Sequence, residues 1–187
     1  MSDVQALPAI RFTWLSLGGE AGNDLTAAGV TSLQPALRRP WGPVGLRYLV
    51  INGNPLGCAG VAALAAVLPR SLHELYLMEV DCGDDGFVAL AAALPALTAL
   101  KELGCGENPA GPRGWAALAG ALPSLPALQE LWAQESPQLG AEGAAALVEA
   151  VPRCPQLRTF VVFGCSLETE TVVSLRMLAR EGLVVSA

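Results

Sequence analysis

The chain has 187 residues, 52% hydrophobic and only 15% charged. That is too apolar for a disordered tail, and the length suits a single domain spanning 1–187. Lys and Arg number 11 against 17 Asp and Glu, which leaves a net charge of −6 and a pI near 4.7. No basic face stands out of the kind that phosphate neutralisation demands, so no nucleic-acid partner is expected.

The N-terminal segment Met1-Ser-Asp-Val-Gln5 has neither a basic n-region nor an apolar h-region. The most apolar stretch, 87–103, is broken by Pro95 and carries Lys101 and Glu102. Neither a secretory signal nor a membrane span is expected, and the chain reads as cytoplasmic. Cys58, Cys82, Cys105, Cys154 and Cys165 form no CxxC pair and no Cys/His pair at ligand spacing. That argues against zinc and for reduced thiols, and no cofactor is implied.

In chain order the elements repeat. A first unit opens at Phe12 with Leu15 and Leu17, reaches Asn23 after about three extra residues, and continues through Gly29, Leu33 and Leu37. The stretch from Arg38 to Val44 lengthens it as a surface loop, which leaves Trp41 available for a lateral contact. The second unit repeats the pattern with Leu46, Leu49, Ile51, Asn54, Gly60, Leu64 and Leu68. The third, fourth and fifth start at Leu72, Leu100 and Leu128, and the sixth at Leu157. Position nine is Asn23, Asn54, Val80, Asn108, Ser136 and Cys165. In the last unit Glu168 and Thr171 replace the two glycines of the others, and residues 180–187 read as a terminal half-repeat or cap.

Each unit predicts a short strand, a turn, a helix of about ten residues and a return. Leu pairs at i, i+4 (Leu90/Leu94, Leu118/Leu122) mark one helix face, and Pro69, Pro95, Pro123 and Pro152 are expected to stop the helices. Strands stack at about 4.8 Å whereas a helix is about 10 Å wide, so the stack must curve with its strands inside. The position-nine amide is expected to satisfy the backbone of the next turn.

This register, L-x-x-L-x-L-x-x-N-x-L with a 28–29-residue period in the later units, resembles the leucine-rich-repeat family and within it the ribonuclease-inhibitor subclass. The resemblance implies an α/β solenoid of about six repeats, with a parallel sheet on the concave face and helices on the convex one. It also implies a non-enzymatic module that binds a protein or peptide on the concave face. Two other activities in families of this repeat type are GTPase activation, as in the Ran GTPase-activating proteins, and enzyme inhibition, as in the ribonuclease inhibitors.

Strand side chains alternate, so positions three, five and seven should face out of the concave sheet. Five of the ten aromatics fall there: Trp14, Tyr48, Tyr76, Trp132 and Phe163, joined by Met78 and Gln134. Glu74, Glu102 and Glu130 share one position in three consecutive units. Like charges about 4.8 Å apart cost on the order of 1 kcal/mol per pair in water. Two readings remain open. The column awaits a basic partner, or it is compensated locally by position two, which holds Arg47, His73, Lys101, Gln129 and Arg158. Gly104 and Gly106 are expected to leave a shallow dip, and Val161 and Phe163 to be covered if the chain is a subunit of a larger assembly.

Other motifs fall short. The 81–86 segment has Gly83 where a calcium loop needs an oxygen ligand and is followed by Ala92 where the bidentate Glu belongs, and Asp84 and Asp85 instead suit the N-terminus of the helix they open. The Gly-rich 104–111 stretch has no Lys-Ser/Thr after it, and His73, the single histidine, pairs with no nucleophile in register.

Overall fold

The computed structural model describes residues 13–18, 23–38 and 45–187. Phe12, Trp41 and most of the first surface loop lie outside them.

Among the described residues seven three-residue strands form one sheet: β1 Trp14–Ser16, β2 Tyr48–Val50, β3 Glu74–Tyr76, β4 Glu102–Gly104, β5 Glu130–Trp132, β6 Thr159–Val161 and β7 Val184–Ser186. They lie in sequence order and pair in parallel throughout. Parallel neighbours need crossovers. These are supplied by α1 Ala27–Leu37, α2 Gly57–Ala65, α3 Asp84–Ala93, α4 Pro112–Ala121, α5 Gly140–Ala150 and α6 Thr169–Arg176. The result is an α/β solenoid, each helix packed on the next and each strand on the next.

The repeat register is the strand register. Leu49, Leu75, Leu103, Leu131 and Phe160 stand opposite one another across β2 to β6 and are all fully buried. They meet the helix leucines Leu64, Leu90, Leu118, Leu147 and Leu175 in a single continuous core. Phe87 and Trp115, one repeat apart, close the helix layer edge to face at 5.0 Å between ring centroids. Trp115 is wholly buried, in keeping with a packing role.

Two sequence expectations need correction. The prolines do not end the helices directly. Leu94–Ala96, Leu122–Ser124 and Val151–Arg153 are 3₁₀ turns that follow α3, α4 and α5, each with its proline second. A proline there gives up an N–H that the first turn leaves unbonded in any case. The second leucine column thus plugs the core from the turn rather than from the helix.

The Asn column, secondly, reaches back rather than forward. Asn108 Oδ1 accepts from the N–H groups of Val80 and Cys82 at 3.1 Å, both in the preceding turn. Its Nδ2 donates to the carbonyls of Leu77, Cys105 and Gly106 at 2.8–3.1 Å. Asn54 does the same, accepting from Asn23 and Leu25 and donating to Leu17, Ile51 and Asn52. A buried irregular turn has no ladder to satisfy its backbone, and one side-chain amide supplies what is missing.

Candidate binding face

The strands are short, so the concave face is defined by few side chains. Across β3, β4 and β5 the register aligns Glu74, Glu102 and Glu130 in one row, and Tyr76, Gly104 and Trp132 in the next. All three glutamates are partly exposed. The rows are tied together: the Tyr76 hydroxyl donates to Glu102 Oε2, and Trp132 Nε1 donates to Glu130 Oε2 at 3.3 Å. Burial first, then the Glu102 carboxylate that accepts its proton, drives the Tyr76 hydroxyl well above the usual phenol range. Tyr76 is thus a neutral donor here.

Partial burial, then the neighbouring Glu102 and Glu130, raises Glu74 above the ordinary carboxylate range, with Lys101 pulling the other way. Lys101 therefore offsets the row in part, but among the described residues it makes no ion pair with it. The ion pairs among those residues are Arg113 with Asp84 and Arg113 with Asp85, on the helix side. His73, edged by Arg47 and Lys101, has its proton affinity lowered by burial and by those two cations.

The expected dip at Gly104 and Gly106 is absent. Both glycines are buried. A Cβ on Gly104 would stand 2.5 Å from the Tyr76 ring, which already fills that space, and one on Gly106 would meet the Gln134 carbonyl at 2.4 Å. The glycines let neighbours close over them. With no side chain on Gly106, Gln134 reaches across β4 to place Nε2 3.4 Å from Met78 Sδ, and it also donates to Glu107 Oε1 at 3.3 Å. Asn52 Oδ1 in turn accepts from the Met78 N–H at 2.9 Å.

The ends of the face differ from its middle. Trp14 is 64% exposed and tilted on Tyr48 at 5.7 Å between centroids. Phe163 is 45% exposed. Val161 is a correction: it is only 7% exposed and is flanked by β7, whose Ser186 stands opposite it. Tyr48, Tyr76, Met78, Trp132 and Gln134 lie half-buried between the two ends.

Sequence reasoning passed over a second acidic column. Position eight of the units is Gly53, Glu79, Glu107, Glu135 and Gly164, and every one has positive φ, between 48° and 71°. The three glutamates are exposed at the far end of the same strands. Glu79 and Glu107 line one depression with Val50, Asn52 and Met78 and, with Glu135, another among the turn residues Asn108, Pro109 and Pro137, so the column runs along the edge where the strand face meets the turns. The column is readable once the six units are aligned beyond their strands.

None of the cysteines is bonded to another, four of the five are buried, and burial pushes the Cys82 thiol up to about 12. Asp84 and Asp85 stand in the first turn of α3, as the sequence led one to expect, and Asp84 has a second role. Asp84 Oδ1 accepts from the N–H groups of Gly111 and Gly114 at 2.7 and 2.8 Å, so it caps α4 in the next repeat. Among the described residues no group of three or more His, Cys, Asp or Glu could hold a metal ion. No helix among them is long and apolar enough to cross a membrane.

The fold is a solenoid of the leucine-rich-repeat kind. Among solved structures it is similar to Leiomodin-1 Actin-Binding Site 2 (ABS2), with a TM-score of 0.58 at 15% identity, covering 69% of this chain and 77% of that one. No protein-family profile and no curated protein matches the sequence.

Proposed function

We propose that the chain is a non-enzymatic interaction module of the ribonuclease-inhibitor-like subclass that binds a basic protein or peptide surface on its concave face. The observation that carries this reading is the row Glu74, Glu102 and Glu130. It stands in register on adjacent strands beside half-buried Tyr76 and Trp132, with no cation paired to it among the described residues. Unpaired like charges oppose folding, whereas a cationic partner turns the same row to advantage. Aromatic anchors beside fixed carboxylates have the make-up of an interface centre. The similar fold in leiomodin-1 is named for actin binding, which is a protein-binding use of such a solenoid.

Catalysis is disfavoured by the same inventory. Burial raises the Cys82, Cys105, Cys154 and Cys165 thiols, and burial with Arg47 and Lys101 holds His73 toward its neutral form.

The test is affinity capture from native extract with wild type, Glu102→Lys/Glu130→Lys and Tyr76→Ala/Trp132→Ala side by side, each first shown to fold by circular dichroism. A partner bound by wild type and lost by both variants is the expected result. Partners retained by both variants would move binding to the helices or the solenoid ends.

A further inference from the structure

The second acidic column specifies the shape of the partner. We infer that the concave face takes an amphipathic α-helix with basic residues along both edges of its apolar stripe, laid across the strands along the solenoid axis. The inference rests on the concave-face reading above and deepens it.

Two rows of glutamate bound the face. One is Glu74, Glu102 and Glu130 at the start of the strands; the other is Glu79, Glu107 and Glu135 in the turns that follow them. Five residues separate the rows, or about 16.5 Å at 3.3 Å per residue. Between them lies a floor in which Val50, Tyr76, Met78 and Trp132 supply apolar surface beside the polar Asn52 and Gln134. A helix with its side chains is about 10–12 Å across. It fits between the rows with its apolar side down, and Lys or Arg stems on either flank extend the remaining distance to the carboxylates.

The longitudinal spacing agrees as well. Within a row the strands set the glutamates about 4.8 Å apart. Helix residues at i, i+3/i+4 and i+7 rise about 4.5–6 Å per step, so three basic residues on one edge match three glutamates in one row. An extended strand, at about 6.6 Å between side chains of one face, falls out of step.

Charge complementarity is strongest on the second row. The turns at 52–56, 79–83, 107–111 and 135–139 contain no Lys, Arg or His, and Asp81 adds a fourth acid there. The first row has Arg47 and Lys101 one position away. Carboxylates on both rows are held by hydrogen bonds from the floor, Tyr76 to Glu102, Trp132 to Glu130 and Gln134 to Glu107. Such preorganisation reduces the side-chain freedom lost on binding.

The experiment uses the full chain and three synthetic peptides of about 18 residues, enough helix to cross the six strands β1 to β6. The first has a Leu stripe with Lys on both edges. The second has Lys on one edge and Gln on the other. The third is the first peptide with its residues reordered so that no apolar face forms. Affinities are read by calorimetry at low salt. Glu107→Gly/Glu135→Gly removes most of the second row and keeps the fold, since Gly53 and Gly164 occupy the same position with φ of 71°.

The two-edged helix is expected to bind about tenfold or more tighter than the one-edged or reordered peptide. The double glycine variant is expected to bring it down to the level at which wild type binds the one-edged peptide. Equal binding of the two-edged and reordered peptides, or a glycine variant that binds the two-edged helix as wild type does, overturns the helix inference. If Glu102→Lys/Glu130→Lys also changes no affinity, the concave-face reading fails with it; if that variant alone loses binding, the face stands and only the helix is wrong.

Discussion

The acids on the two sides of the solenoid are treated in opposite ways. On the helix side, Asp84 accepts two backbone N–H bonds from the start of α4 and lies 3.6 Å from Arg113, which also pairs with Asp85. Each of those charges completes a helix end or meets a cation across a repeat boundary. On the strand side, six glutamates stand in two rows, and no ion pair neutralises them among the described residues. Asp84 and Asp85 tie one repeat to the next, whereas the concave Glu102, Glu130 and Glu107 accept hydrogen bonds from side chains of their own face. Repetition explains how both arise, because any residue entering the period is copied at strand spacing. Only its surroundings decide whether the column is mortar or display.

Substitutions should divide along that line. The largest effect belongs to neither side but to the turn between them. Asn108→Leu removes five hydrogen bonds to buried backbone groups. With unsatisfied buried groups at about 1–3 kcal/mol each and partial relaxation, a loss of about 3–5 kcal/mol is expected in urea unfolding.

Gly106→Ala comes next. Its Cβ would meet the Gln134 carbonyl, which is backbone and cannot swing aside, so about 1–3 kcal/mol is expected from the same measurement. Gly104→Ala should cost less, because what it meets is the side chain of Tyr76; its signature is displacement of the Tyr76 ring, read from ring NMR shifts.

On the convex side, Asp84→Ala should cost about 1–2 kcal/mol as a lost cap. Asp84→Asn, which keeps the accepting oxygen, should recover most of that. If both cost the same, the pairing with Arg113 and not the cap is what matters.

The smallest effect is on the concave side and reverses sign. Glu74 holds its proton to a higher pH in the folded state than in the unfolded chain. The folded state therefore binds more protons in the window just above the ordinary glutamate range, and stability falls as pH rises through it. Glu74→Gln should be more stable than wild type at pH 7 by a few tenths of a kcal/mol, after allowing for solvent screening of a partly exposed group. The two should converge as pH falls below the ordinary value. A urea midpoint measured against pH checks both the sign and the window.

The sequence made the solenoid legible because period and burial coincide. A leucine at position four is opposite another leucine at position four in every middle repeat, so one alignment yields strand order, register and core at once. The first acidic row was legible for the same reason. Three features were not. Gly104 and Gly106 suggest empty space to a reader of sequence, yet an absent side chain is also an invitation for Tyr76 and Gln134 to move in. Asp84 sits in the first turn of α3, and nothing local says that its carboxylate serves α4. The glutamates at position eight lie past the strand, where the alternation that assigns faces no longer applies. Their left-handed backbone is what groups them with Gly53 and Gly164.

The division between structural and displayed acids is tested most directly by one pair of urea unfolding curves at pH 7, for Asp84→Ala and for Glu102→Gln/Glu130→Gln. Wild-type stability or better is expected for the double glutamate variant, against a loss of about 1–2 kcal/mol for Asp84→Ala. A double glutamate variant that loses as much as Asp84→Ala would show that the concave row holds the fold together, and would contradict the account.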